Sequence, residues 1–161
     1  MEQIRISSAE DKGVIYGELL PQLKSLVSGE KDFIANAANL VAALKQSIPY
    51  ISWVGFYFLK NGELVVGPFQ GKVACTRIRI GSGVCGTAVA ENRTIVVQDV
   101  AKFPGHIYCD PDSKSEIVIP LSKDGKVFGV LDLDSAEYAS FDSVDAENLG
   151  RVAKLVEGIV D

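Results

Sequence analysis

Apolar residues recur at three- and four-residue steps between Asp11 and Val27, at Val14, Ile15, Leu19, Leu20, Leu23 and Leu26, which predicts an amphipathic helix with one apolar face. Pro21 falls inside this pattern and predicts a kink or a break, because proline has no N–H for the helical ladder. A second helix is expected from Asp32 to Gln46, where "DFIANAANLVAALKQ" is rich in alanine and leucine, and "SIPY" stops it. After Pro49 the period changes. "ISWVGFYFLKNGELVVGPFQG" is two β-branched and aromatic runs joined at Lys60-Asn61-Gly62, and Asn-Gly is a strong hairpin signal. "CTRIRI" alternates and predicts a third strand, with Arg77 and Arg79 on one face and Ile78 and Ile80 on the other. "VCGTAVAEN" reads as a short helix and "TIVVQD" as a fourth strand. Asp99 to Ser115 is a loop containing Pro104, Gly105 and Asp110-Pro111-Asp112, and loops of that length in compact domains usually carry function or are disordered. "SEIVIPLSKDGKVFGVLDLDS" predicts a second hairpin turning at Asp124-Gly125, and Asp142 is placed to cap a closing helix that runs towards Val156. The order predicts an α+β domain, an antiparallel sheet with helices packed against it.

Composition narrows the class. At 161 residues the chain has the size of one domain, read here as residues 1–161, and it is long enough to bury a sizeable core without staples. No apolar run approaches the ~18 residues that cross a bilayer, and "MEQIRISSAEDK" has neither the apolar core nor the cleavage site of an export signal. A cytoplasmic location is therefore expected, where thiols are mostly reduced. The net charge of −5 opposes a phosphate backbone as partner, and no basic surface helix favours a membrane. A small ligand or a protein partner is left.

Chemistry concentrates between Cys75 and Cys109, a stretch that holds all three cysteines and the only histidine. The cysteines are too far apart for CxxC pairs, so any joint action comes from the fold. Cys85, beside Val84 in a predicted helix, fits the ordinary role of a buried apolar thiol. Cys109 lies among Tyr108, Asp110 and Asp112, where an exposed thiol is a liability unless used, and Cys75 borders the same region. Two loop thiols able to meet would supply the attacking and resolving pair of sulfenic acid chemistry. A Cys₃His zinc site including His106 is the competing reading, disfavoured by ligand spacing; a partly exposed loop histidine without a catalytic or metal role is expected instead. "GSGVCG" from Gly81 has the glycines of a dinucleotide-binding turn, but it sits mid-chain between two antiparallel hairpins, so a helix-capping turn is expected, with amides free to hold a carboxylate or phosphate. Asp132 and Asp134 alternate with Leu131 and Leu133 and so share one strand face, with Glu116 opening the paired strand. Such acids either face solvent or converge on a pocket, and their single sign favours the pocket.

The stretches "WVGFYF", "GPFQGKVACTRI", "GVCGTA", "VQDVAKFPGHIYCD", "SEIVIPL" and "GVLDLDS" resemble the free methionine-(R)-sulfoxide reductases, enzymes built on a GAF domain. The resemblance spans Trp53 to about Ser135 and implies a GAF-like fold, a central antiparallel sheet flanked by N- and C-terminal helices. It implies that Cys109 is catalytic, that Cys75 closes a disulfide with it, and that Cys85 is an auxiliary thiol. Glu116, Asp132 and Asp134 resemble the acids that hold the substrate's ammonium and sulfoxide groups, and Trp53 resembles the wall beside its methyl-sulfur end. No bound cofactor or metal is implied. Thioredoxin as external reductant and a homodimer are.

These residues suit the reaction. A sulfoxide becomes a good electrophile when its oxygen is protonated, and Glu116 crowded by two aspartates is expected to stay protonated near neutral pH. The flanking Asp110 and Asp112 are expected to oppose a thiolate at Cys109. The rival reading is a GAF module that senses a small metabolite or cyclic nucleotide without catalysis.

Overall fold

The computed structural model describes residues 3–8 and 10–160. The N-terminal stretch and the 1–161 span read from the sequence include Met1, Glu2, Ala9 and Asp161, which lie outside the described residues. Helices α1 (Lys12–Ser28) and α2 (Phe33–Ser47) precede strands β1 (Trp53–Lys60), β2 (Glu63–Gln70) and β3 (Arg77–Arg79). Then come α3 (Gly83–Glu91), β4 (Ile95–Val97), a 3₁₀ turn at Val100–Lys102, β5 (Ser115–Lys123), β6 (Lys126–Ser135) and α4 (Ser143–Ile159). The six strands form one antiparallel sheet in the order β3-β2-β1-β6-β5-β4. Both hairpins turn where the sequence placed them. Asn61 and Gly62 have φ of 53° and 82°, and Asp124 and Gly125 have φ of 52° and 76°, the double left-handed geometry that two-residue hairpins require.

The sheet separates two apolar layers. On one face α1, α2 and α4 pack over Val54 and Phe56 of β1, Ile117, Ile119 and Leu121 of β5, and Leu131 and Leu133 of β6. On the other, α3 packs over Tyr57, Leu64, Val118 and Val130. The period-two alternation of β6 sends its leucines to the three-helix layer and thereby sends Asp132 and Asp134 to the opposite face. Two local expectations are corrected. α1 runs unbroken through Pro21, because Tyr16 and Leu19 before the proline and Leu23 and Val27 after it are buried together, and that burial outweighs one lost hydrogen bond. β3 ends at Arg79, so Ile80 lies past the strand and is exposed rather than sharing the buried position of Ile78.

The closing helix is fixed at its start by a polar cluster. The Asp142 side chain accepts from the Val144 and Asp145 amides while Asp145 accepts from the Asp142 amide, a reciprocal capping box. Asp145 is fully buried, yet it also accepts from the hydroxyls of Tyr16 (2.8 Å) and Tyr50 (2.5 Å) and pairs with Lys12. A buried carboxylate so provided for ties α1 and α4 together instead of destabilising them.

Candidate active site

Opposite the three-helix layer, strand register gathers the acids. Glu116 of β5 pairs with Asp134 of β6, which pairs with Trp53 of β1, so three side chains form one row across the sheet. Asp132 lies in the next row of that face, between Val118 and Gly55. These four side chains, with Tyr57, Cys85, His106, Cys109 and Ser113, line a cavity that Val73, Ala74, Ile107 and Asp110 also border.

The Trp53 ring is held rigidly. Its Nε1 donates to the Lys72 carbonyl at 3.0 Å and its ring stacks on Phe69 with centroids 5.4 Å apart. Glycine makes the space: a Cβ at Gly55 would lie 2.5 Å from Trp53 Cη2, and one at Gly71, where φ is +135°, would lie 2.5 Å from Trp53 Cδ1. Tyr57, four residues on along the same strand face, donates its hydroxyl to the Cys75 carbonyl at 3.0 Å and so anchors the loop that carries Cys75.

Cys75 and Cys109 form a disulfide with their Cα atoms 5.3 Å apart, which joins the two loops over the cavity. Lys72 pairs with Asp110 at 3.3 Å and also with Asp112. The acids flanking Cys109 are thus partly neutralised, which reduces the opposition to a thiolate expected from the sequence. Cys85 is free and buried beneath them, and burial, followed by the nearby Asp132 and Glu116 carboxyls, pushes its thiol well up.

Burial dominates the three acids as well. It raises Glu116 well above the ordinary carboxyl range, with Asp132, then Asp134, adding to the rise and a hydrogen bond to Asp132 favouring the protonated form. Asp134 is raised by burial and then by Asp132, against the opposing hydrogen bond from Ser113 Oγ at 2.6 Å. Asp132 is raised by burial, opposed by hydrogen bonding from Cys85 and Glu116. Neutral Glu116 can give a proton here, and ionised carboxyls beside it can hold a cation.

His106 is half-buried in its loop, a partly exposed position as expected, with its ring turned inward. Its side chain is only 7% exposed, Nδ1 lies 3.8 Å from Glu116 Oε2 without a hydrogen-bond partner, and the ring meets Tyr108 edge-on at 4.6 Å. Burial lowers its pKa, which favours the neutral imidazole. The chain between Phe103 and Cys109 folds the ring inward, a path that residue type and spacing do not encode. Ser113 and Tyr57 were likewise absent from the sequence reading. Tyr57 was recoverable, since it shares the face of Trp53 in an alternating strand.

The glycine-rich turn behaves as a helix cap. Gly81 and Gly83 have φ of 83° and 62°, and a Cβ at Gly86 would lie 2.3 Å from the Arg79 carbonyl oxygen, so the third glycine serves close helix–strand packing. It follows β3 of an antiparallel sheet, not a parallel βαβ unit, and this removes the dinucleotide reading. Ser82, Gly83 and Val84 at the start of α3 face the cavity. The Cys₃His arrangement is not assembled, since two of its thiols are joined to each other. Among the described residues, the trio that can approach a cation is Cys85, Glu116 and Asp132, with one ligand atom each and all within 4.8 Å of one another.

The GAF domain family matches residues 30–161. GAF domain-containing protein A of Dictyostelium discoideum is 51% identical over 157 residues, covering 97% of this chain and 98% of that protein. Free methionine-R-sulfoxide reductase of Escherichia coli (strain K12) is 43% identical over 150 residues, covering 93% and 91%. The X-ray structure of free methionine-R-sulfoxide reductase from Neisseria meningitidis in complex with its substrate aligns with a TM-score of 0.95 at 47% identity, covering 99% of this chain and 95% of that one. With relatives of that name matching along nearly its whole length and the same fold throughout, this chain belongs to the free methionine-R-sulfoxide reductases, oxidoreductases built on the GAF domain.

Proposed function

We propose that this protein reduces free L-methionine-(R)-sulfoxide to L-methionine through a sulfenic acid on Cys109 and a disulfide with Cys75. The observation that carries the proposal is the Cys75–Cys109 disulfide beside a cavity walled by the buried Glu116 and Asp132 and the half-buried Asp134. In the reduced protein, the Cys109 thiolate attacks the sulfoxide sulfur while Glu116 gives its proton to the oxygen. The sulfur–oxygen bond breaks, methionine leaves with a lone pair on sulfur, and the oxygen stays on Cys109 as sulfenic acid. Cys75 then attacks that sulfur, a disulfide forms, and water leaves. An external dithiol, for which thioredoxin is the proposed donor, restores both thiols by exchange. No bound cofactor or metal enters these steps.

A free amino acid brings an ammonium and a carboxylate with its sulfoxide. Asp132 and Asp134 are assigned to the ammonium and the Trp53 ring to the methyl-sulfur end. The Gly81 and Ser82 amides already donate to the Gly86 and Arg79 carbonyls, so of the Gly81–Gly83 turn the Gly83 amide is assigned to the carboxylate. Lys72 supports the nucleophile by pairing with Asp110 and Asp112, and Cys85 remains an auxiliary thiol below the acids. A cytoplasmic homodimer belongs to the same proposal; among the described residues no helix is long and apolar enough to cross a membrane.

The test is methionine formation from the separated R and S epimers of free methionine sulfoxide, by the parent protein and by Cys109→Ser. The parent should convert the R epimer, and Cys109→Ser should not, because a hydroxyl lacks the thiolate's nucleophilicity. A protein that only senses metabolites converts neither epimer, and single-turnover methionine from Cys109→Ser removes Cys109 from its role.

A further inference from the structure

The floor of the cavity holds polar groups with no partner. Asp132 Oδ1 and His106 Nδ1 are both buried and without a hydrogen-bond partner, and a side-chain nitrogen or oxygen left so is costly unless something not of the protein completes it. The two residues are 6% exposed for Asp132 and 7% for the His106 side chain. Asp134 is engaged by Ser113, and the hydrogen bonds of Asp132 with Cys85 and Glu116 leave its Oδ1 unused. Both unsatisfied atoms lie beside Glu116: Nδ1 of His106 is 3.8 Å from its Oε2, and Asp132 offers a ligand atom within 4.8 Å of one from Glu116 and of the Cys85 thiol.

We propose that Cys85, Glu116 and Asp132 form a binding site for a divalent cation of the zinc type, seated where the sulfoxide end of the substrate would lie. The donor set is one sulfur and two carboxylate oxygens. Magnesium and calcium take six or more oxygen ligands and have no preference for sulfur, whereas zinc accepts S and O donors in a four-coordinate site. Because the three ligand atoms are mutually within 4.8 Å, a point exists no more than about 2.8 Å from each, and closing to the ~2.0–2.3 Å of zinc–ligand bonds takes less than about 1 Å per donor. His106, with Nδ1 3.8 Å from Glu116 Oε2, offers a further donor. On binding, Cys85 releases its proton to solvent and coordinates as thiolate. Placing the site over the substrate rests on the function proposed above: a Glu116 carboxylate bound to the ion cannot deliver a proton, and the ion fills the space of the sulfoxide.

The disulfide form of the protein gives a clean test, since Cys85 is then its only free thiol. Cobalt(II) is the probe, because a cobalt–thiolate bond gives a charge-transfer band. Titration of the oxidised parent should raise that band to saturation at one equivalent, and zinc should bleach it. Cys85→Ser should lose the band, and Asp132→Asn should weaken binding by at least the ~10–100-fold that loss of even a supporting group costs at a metal site. Circular dichroism melts of each variant establish that it is folded. No band in the oxidised parent, or a band that survives in folded Cys85→Ser, overturns the site.

Placement over the substrate is read separately in Cys75→Ser/Cys109→Ser, where Cys85 is again the sole thiol and no turnover occurs. Free methionine-(R)-sulfoxide should bleach the cobalt band in this variant. If calorimetry shows that the metal-free variant binds the sulfoxide while the band persists, the overlap is overturned. If it binds no sulfoxide, the function proposed above fails, and the cobalt titration still decides the cation site.

Discussion

Glu116 is the residue on which the proposed chemistry turns, because its burial and two acidic neighbours favour the protonated form where an exposed glutamate would be ionised. Glu116→Gln keeps the shape but has no proton to give, so the single-turnover rate should fall by the ~10²–10⁴-fold typical of lost general acid catalysis. In the proposed reaction of the parent, the active form is the protonated acid. The rate should therefore decline as pH rises through the raised pKa of Glu116, while thiolate formation at Cys109 works in the opposite sense, and rapid-quench measurements across pH on both proteins check it. A near-normal rate in Glu116→Gln would move the proton to another donor. The aspartates are tested through the substrate. N-acetylated methionine sulfoxide has no ammonium, so its kcat/KM should fall well below that of the free amino acid, and equal values would remove Asp132 and Asp134 from recognition. The common face of Asp132 and Asp134 was legible from their alternation with Leu131 and Leu133, since strand geometry has a period of two. His106 was not legible, because an irregular loop has no period and its inward turn depends on three-dimensional packing.

At the level of elements, the sheet register does the positioning. Trp53, Asp134 and Glu116 share a row across β1, β6 and β5. The Asp124-Gly125 hairpin pairs β5 with β6 and the Asn61-Gly62 hairpin pairs β1 with β2, while the β1–β6 pairing that brings Trp53 beside Asp134 is set by neither turn. Those turns were readable as dipeptides with a required backbone geometry. Pro21 misled for the opposite reason: a local rule about one hydrogen bond was overridden by the burial of side chains on both sides of it. That Gly55 shares the face of Trp53 follows from its place two residues on in the same strand; that the ring lies over it depends on Phe69 of the neighbouring β2, on which the ring stacks. Gly55→Ala places a methyl 2.5 Å from both Trp53 Cη2 and Phe69 Cβ. Overpacking of this kind costs about 1–3 kcal/mol, to be read by urea denaturation. KM for methionine sulfoxide should rise as well, because the displaced ring is the proposed wall of the substrate site. Parental stability and KM together would mean that the ring does not need this space.

Across the whole molecule, the site is maintained at the expense of stability. Glu116, Asp132 and Asp134 all have folded pKa values raised by burial, so each contributes stability that is fully present below its unfolded pKa and lost as pH rises through its folded one. His106, lowered by burial, acts in the other sense, favouring the fold above its unfolded pKa and losing that contribution as pH falls through the folded value. Three acids outweigh one histidine. The ligand-free protein should melt at lower temperature as pH rises from the ordinary carboxyl range towards neutrality, and Glu116→Gln should flatten the slope. Calorimetric melts across that range check it, and a Tm that climbs with pH would show the acids to be ionised without penalty. The polar cluster of Asp145, Tyr16, Tyr50 and Lys12 anchors the far side of the sheet.

The central claim, that Cys109 takes the oxygen and Cys75 takes Cys109, is tested most directly by counting thiols after the reduced protein meets free methionine-(R)-sulfoxide with no external reductant. The account predicts one methionine formed for every two thiols lost, with peptide mapping placing the new disulfide between Cys75 and Cys109 and leaving Cys85 free. A protein that keeps all three thiols, or that forms methionine while Cys75 and Cys109 stay reduced, would contradict it.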